Sequence, residues 1–312
     1  MSRSLILPFA IVFGLLFNRW CGYLVSFVPY LIFSILFLNF TAVQIKKLGI
    51  IHISKLNGLI MLFQAVTSLG CYLFVKLLFN NDIIAEGILI GVLCPVAASS
   101  AVVACYLGAN RETITSYIIL GNLMVAVLAP IYFSFIGIHQ DMPFIESFLL
   151  ILKRVSPVIA APFFIVLALQ KWYPAANDYL SRYKGITLHL WAAALAITIG
   201  QTINFIINHG RENISSIIVL GILSVIFCAV QFGLGKKLGA IYGDKVAGGQ
   251  AMGQKNSSLG IWMANIYLNP LASVFPALYS IWQNLFNSWQ MYVHGKELKQ
   301  QSSCPSQAGS AE

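Results

Sequence analysis

Residues 253–260 read GQKNSSLG. Five consecutive polar residues, Gln254, Lys255, Asn256, Ser257 and Ser258, stand inside a stretch that is otherwise apolar and long enough to cross a bilayer. In hydrocarbon an unpaired polar group is expensive, so such a run is tolerated only where it is buried in protein or lines a cavity. Its reading depends on whether the surrounding segment is a membrane helix.

Composition says that it is. Of 312 residues, 58% are hydrophobic and 9% are charged, whereas a soluble domain carries about 25% charged residues. A hydrocarbon core of about 30 Å needs roughly 20 apolar residues per helical span. Ten such runs can be marked: 4–18, 22–44, 56–79, 85–107, 113–137, 144–170, 186–207, 214–234, 246–268 and 270–293. They are long and do not alternate, so an all-α membrane protein is predicted rather than a barrel. The first run follows Arg3 as in a signal peptide, but Asn18-Arg19-Trp20 stands where a small-residue cleavage site belongs, so it is read as a span. Within the sixth, 144–154 reads as an interfacial helix leading to Pro157, and Arg111-Glu112 as a loop. Residues 295–312 are polar, lack aromatics and read as a disordered cytoplasmic tail.

Basic residues set the orientation. With the N-terminus inside, thirteen of the nineteen Lys and Arg fall on one side and five on the other, leaving Lys255 inside a span. Both termini are therefore expected to be cytoplasmic, in a multi-pass protein of the inner (plasma) membrane. The net charge of +9 follows from this asymmetry, and with no basic stripe of interleaved aromatics it implies a lipid bilayer and no nucleic acid as partner. The six cysteines are scattered without CxxC spacing and read as apolar packing residues; no metal site or cofactor is expected.

Ten spans divide into five and five. An odd number of crossings gives two similar halves opposite orientations, the inverted-repeat plan of many secondary transporters. Residues 1–137 then form the first five-helix repeat and 138–294 the second, inverted one. Such proteins interrupt a helix at the same place in each half. The fourth span carries CPVAASSAVV (94–103), where Pro95 removes a helical N–H, and the ninth carries GGQAMGQKNSSLG (248–260) with its four glycines. Crossed broken helices in spans 4 and 9 would free backbone groups at mid-membrane, with helix N-termini suited to anions and C-terminal ends to cations.

These segments resemble the bile acid:sodium symporter family. The resemblance lies in Cys94-Pro95 and the small residues after it, in Asn256-Ser257-x-Leu259, and in PALYSIWQNLFNSW (276–289). It implies a core domain holding the crossed helices and a panel of spans 1, 2, 6 and 7. It further implies alternating access that carries a small organic anion, with Asn256, Ser257, Gln283 and Asn284 at the substrate. Gln64 matches a retained cation-site glutamine. The family's Glu and Gln of the ninth span, however, are replaced by Ala251 and Lys255, and Ser100 is followed by Ala101 rather than Asn. These departures argue against conventional sodium coupling.

Lys255 lies ten residues beyond Lys245, about 15 Å along a helix, too deep for its stem to snorkel back to the surface. Three roles stand for it: a tethered ammonium in the place of Na⁺, a titrating or substrate-pairing group, or a surface lysine. In the first, its donors reach Ser99, Ser100 and the backbone near Met252, so that Lys255, Gln254, Met252, Ser99, Ser100 and Gln64 form the cation-site set. Competing functions are a sodium-coupled anion symporter with altered sites and a proton/cation antiporter of related fold. An enzyme is disfavoured by five scattered histidines and no paired carboxylates.

Overall fold

The computed structural model describes residues 3–43, 54–138 and 141–303, and every named element among them is helical. In chain order these are α1 (Arg3–Leu16), α2 (Asn18–Leu24), α3 (Val28–Thr41), α4 (Lys55–Phe79), α5 (Asp82–Leu93), α6 (Ser100–Tyr106) and α7 (Arg111–Ile136). The order continues with α8 (Phe144–Trp172), α9 (Pro174–Ser181), α10 (Thr187–His209), α11 (Ile214–Ile241), α12 (Lys245–Gly253), α13 (Ser257–Tyr267) and α14 (Val274–Ser303). Among the described residues, six helical stretches are long and apolar enough to cross a membrane: 18–41, 55–79, 111–136, 144–172, 174–209 and 214–241.

Helix boundaries follow local chemistry. Ser54, Asn81 and Asp244 each accept a hydrogen bond from a backbone N–H three residues on, capping α4, α5 and α12. Asn80 ends α4 in the left-handed region at φ 45°, and the Lys76–Asp82 ion pair spans the turn into α5. Arg111-Glu112 is not a loop but the first turn of α7, because Asn110 Oδ1 accepts from Glu112 N at 2.8 Å and Thr113 N at 3.1 Å.

Two further expectations are corrected. Segment 144–154 does not end before Pro157; α8 continues through Pro157 and Pro162 to Trp172. Ser156 Oγ, next to Pro157, donates to Ala126 O of α7 at 2.7 Å, the carbonyl that Pro130 with its missing N–H leaves free. Residues 295–303 do not form a loose tail but extend α14 to Ser303; 304–312, with Cys304, lie outside the described residues.

The helices pack in two sets that are joined where α7 lies along α8: α10 packs on α1, α2 and α3, and α3 packs on α8; α4 packs on α5, and α11 packs on α12 and α14. The α11–α12 hairpin is the tightest contact and explains most of the glycines in 248–260. A Cβ on Gly235 would come 2.3 Å from Gly248 O, and one on Gly248 would come 2.3 Å from Gly235 O. Gly253 faces the Phe232 ring in the same way. Gly248, Gly249 and Gly253 therefore sit within regular helix, where they let backbones touch rather than unwind the chain.

This packing predicts that Gly235→Val lowers the thermal unfolding midpoint in detergent, at a cost of about 1–3 kcal/mol for overpacking. Gly233→Ala, where nothing lies within 4 Å, is expected to leave the midpoint unchanged or raise it. Equal midpoints for Gly235→Val and the unmodified chain would refute the close approach.

Candidate functional site

The breaks of the fourth and ninth predicted spans meet. α5 stops at Leu93 and α6 starts at Ser100; α12 stops at Gly253 and α13 starts at Ser257. Between them the extended segments pair antiparallel at Val96 and Lys255. Ala97 N donates to Gln254 O at 3.0 Å and Asn256 N to Pro95 O at 2.8 Å. The two unwound strands thus satisfy part of each other's backbone where no water is available to do so.

The end of α5 supplies the rest of the logic. Pro95 has no N–H, so the helix cannot continue its ladder, and the last carbonyls point onward without intrahelical donors. Val92 O accepts from Lys255 Nζ at 2.9 Å. Leu93 O and Cys94 O accept from the amide nitrogen of Gln64 on α4, at 2.8 and 3.1 Å. Tyr117 of α7 donates to Gln64 Oε1 at 2.6 Å and fixes that amide. An ammonium 3% exposed is therefore held at the negative end of a helix, with no carboxylate within ion-pairing distance among the described residues.

On the other strand, α14 clamps Lys255. Gln283 Oε1 accepts from Lys255 N at 2.7 Å, and its Nε2 donates to Lys255 O at 3.0 Å and to Ser257 Oγ at 3.3 Å. Tyr279 donates to Gly253 O at 2.7 Å, closing the end of α12. Cys94 Sγ lies 3.0 Å from Asn256 O, where the thiol donates.

The predicted residues divide accordingly. Gln64, Gln254, Lys255, Asn256, Ser257, Gln283 and Ser99 come together, Gln254 Nε2 donating to Ser99 Oγ at 2.9 Å. Lys255 reaches Val92 O rather than Ser99, Ser100 or the backbone near Met252. Ser100 Oγ is buried without a partner among the described residues, and Met252 packs its Cβ toward Gly235 of α11. Asn284 turns back on its own helix, donating to Ser280 O at 2.6 Å. One turn away, Asn287 takes the inward position and accepts from Gln250 Nε2 at 2.8 Å.

Sequence reasoning missed Gln250, Asn287, Tyr117 and Tyr279. It also missed Glu86, which is buried one turn into α5 and accepts from Asn269 N at 2.6 Å. The one available signal was Pro95 itself: a proline orphans the carbonyls of the preceding turn, which is where a nearby lysine or glutamine would be drawn.

No protein-family model matches the chain. The chain is similar to a protein of Bacillus subtilis (strain 168) described as an uncharacterized sodium-dependent transporter, YocS. The two are 23% identical over 245 residues, 73% of this chain and 72% of that protein. Together with the apolar helices, this likeness points to a multi-pass membrane protein of transporter type.

Replacing Lys255 by Met keeps the side-chain length and removes the donor to Val92 O. Leaving that buried carbonyl unpaired is expected to cost about 1–3 kcal/mol, read as a lower thermal midpoint. A higher midpoint would mean that the desolvation of the ammonium outweighs what the helix end returns to it.

Proposed function

We propose that the protein is a secondary transporter of a small organic anion, working by alternating access, in which the Lys255 ammonium stands at the position that the family resemblance assigns to a coupling cation. The observation that carries this reading is Lys255 Nζ on Val92 O, a fixed positive charge at the C-terminal end of a broken helix. The proposed architecture is ten membrane helices in two inverted five-helix repeats, 1–137 and 138–294, with both termini cytoplasmic in the plasma membrane. The group α1, α2, α3, α8 and α10 supplies the moving panel.

The anion sits beside the N-terminus of α13, where backbone donors face outward from the crossover. Asn256 uses its Oδ1 to cap that helix at 3.4 Å from Leu259 N. No hydrogen bond from its Nδ2 exists among the described residues, so that nitrogen is free for a carboxylate. Asn284, half-buried on α14, offers the second N–H of its amide, the first being taken by Ser280 O; Ser257 and Gln283 hold Lys255 beneath. Movement between the helix groups has to slide α8 along α7, breaking Ser156 Oγ to Ala126 O at 2.7 Å, and has to break Asn265 Nδ2 to Gln201 Oε1 at 3.0 Å and the Thr202–Ser273 hydroxyl pair at 2.8 Å, which tie α10 to the core.

A second reading is a sodium-coupled symporter with altered sites. It is favoured by the description of the Bacillus relative and by the buried, unpartnered oxygens of Gln250, Gln254 and Ser100. Uptake of a carboxylate into proteoliposomes in sodium against choline medium, with the proton gradient clamped, separates the two. Rates within about twofold are expected if Lys255 fills the cation position; strong sodium stimulation would assign that position to Na⁺ and reject the first reading. In the same assay Asn256→Ala and Asn284→Ala are each expected to abolish uptake while the protein stays monodisperse. Unchanged transport in both variants would remove the substrate site from the crossover.

A further inference from the structure

Glu86 is a carboxyl that the crossover does not use. It stands four residues beyond Asp82, the first residue of α5, about 6 Å along the helix. Every residue from Ile84 to Leu93 is buried, and Glu86 itself is 7% exposed. It takes part in neither ion pair found among the described residues, and Lys76 is paired with Asp82. Its Oε2 accepts from Asn269 N at 2.6 Å, and its other oxygen has no hydrogen bond among the described residues. Nor does it cap α5, because Asn81 already accepts from Ile84 N. A buried carboxyl without a cation needs donors or a proton to meet its charge, and within a membrane span such a group marks a functional site.

What Glu86 holds is the segment that closes the two helix groups against each other. Asn269 lies between the end of α13 and the short turn Pro270–Ser273 that leads into α14. That turn packs closely on α5, where a Cβ on Gly87 would come 3.4 Å from Ala272 O. Ser273 shares a hydroxyl bond with Thr202 of α10, and Asn265 of α13 donates to Gln201 of α10. Glu86 thus secures, from the α5 side, the stretch 265–273 that ties α10 to the core. The other end of the two broken helices is built alike: Asn110 N donates to Asp244 Oδ2 at 3.0 Å, joining the start of α7 to the start of α12. Glu86 and Asp244 are 158 residues apart, and Asn110 and Asn269 are 159 apart, as are Val96 and Lys255. This agrees with the proposed repeat. The two clamps differ in their surroundings. Asp244 is half-buried and its second oxygen accepts from Ala247 N at 2.8 Å, so it is satisfied as an ion; Glu86 has the one donor.

We propose that Glu86 is a proton-binding site that sets this closure. As a carboxylate it holds Asn269 N in a charge-assisted bond and keeps 265–273 seated on α5. A proton from the adjoining water adds to the free Oε1, forms an O–H bond and removes the charge. The bond to Asn269 then becomes a neutral one, about half as strong, and the segment parts from α10 more readily. The proton returns to the water when the contact re-forms. Asp82, exposed and one turn away, is the port through which it passes. Few groups face Glu86: Asp82 on its own helix, and Lys76 and Tyr72 on α4. The turn 270–273 and the half of α11 beside α5, residues 214–225, carry no titratable residue. Tyr267 of α13 lies against Phe133 and Trp262, and Tyr279 of α14 bonds Gly253 O. Tyr117 and Tyr132 of α7 bond Gln64 and Ala65. The inference rests on the transporter reading for its purpose, the closing of one side of the membrane, but the proton binding does not.

The test takes the full chain in nanodiscs from about pH 8 to about pH 4, a window that covers ordinary and buried carboxyls. Glu86→Gln keeps the shape and the acceptor for Asn269 N but cannot titrate. Infrared difference spectra are expected to show a carboxyl C=O band that appears on acidification in the unmodified chain and is missing in Glu86→Gln. Amide hydrogen exchange of the peptide 265–273, compared between the two chains at each pH so that intrinsic rates cancel, reads the closure. At about pH 8 the unmodified chain is expected to be about tenfold better protected, the fold-change one charged hydrogen bond carries. At about pH 4 the two are expected to match, both being neutral at position 86. Glu86→Asp, which keeps a carboxyl, should keep the band and a pH-dependent protection, and Asp82→Asn should keep the band. An acid-induced band unchanged in Glu86→Gln overturns the proposal, as does equal protection of 265–273 at the alkaline end. If Glu86→Gln does not fold, Glu86→Asp decides, and protection in it that is indifferent to pH overturns the proposal. Proteoliposome uptake separates this idea from the one it rests on. The band and the protection without uptake of any carboxylate would keep the proton site and reject the transporter. Uptake with neither signal would do the reverse.

Discussion

The hydrogen bond from Lys255 Nζ to Val92 O joins two helix breaks that neither half of the chain could tolerate alone. A proline at 95 leaves the carbonyls of the preceding turn without donors, and an interior without water does not supply replacements. A lysine in the same interior carries a charge that needs acceptors. Each defect answers the other. The antiparallel pairing of Val96 with Lys255 then brings the two breaks into register, so that the backbone groups freed by one strand meet those freed by the other.

The surrounding helices act on this crossover through amides and hydroxyls. Gln64 and Tyr117 fix the α5 end from α4 and α7, while Gln283 and Tyr279 fix the α12 end from α14. These are uncharged groups. They bond the backbone around the breaks rather than the ammonium itself, and so hold Val92 O and Lys255 in the geometry of their own bond. A soluble cation would have to enter and leave such a site; a tethered one stays. A transporter with a tethered cation would lose the thermodynamic link between substrate and sodium, so the force driving uptake would come from the substrate's own gradient or from another ion.

The glycines around the crossover serve a different purpose from the one their clustering suggests. Gly235, Gly248 and Gly253 let α11 and α12 touch along their backbones, which holds α12 rigid up to its last residue. The unwound segment is confined to Gln254–Asn256. A rigid half-helix on either side of a short break concentrates free backbone groups in one place.

The placing of Gln64, Asn256 and Gln283 near Lys255 was implied by the family resemblance, whereas local chemistry was enough to mark the membrane character and the positions of both breaks. Those two follow from what a short segment carries by itself: low charge, a proline without an N–H, a polar run in an apolar stretch. What local pattern could not specify was which side chain faces which. Asn284 and Asn287 are one turn apart on α14, and only the rotation of that helix against α12 turns Asn287 toward Gln250 and leaves Asn284 on its own backbone. The acceptor for Lys255 and the continuity of α8 through Pro157 were likewise decided by tertiary packing. The physical reason is the same in each case. Helical periodicity tells which residues share a face, but the partner of that face comes from distant chain, and hydrogen-bonding groups in a dry interior take whichever partner packing brings within 3 Å or so.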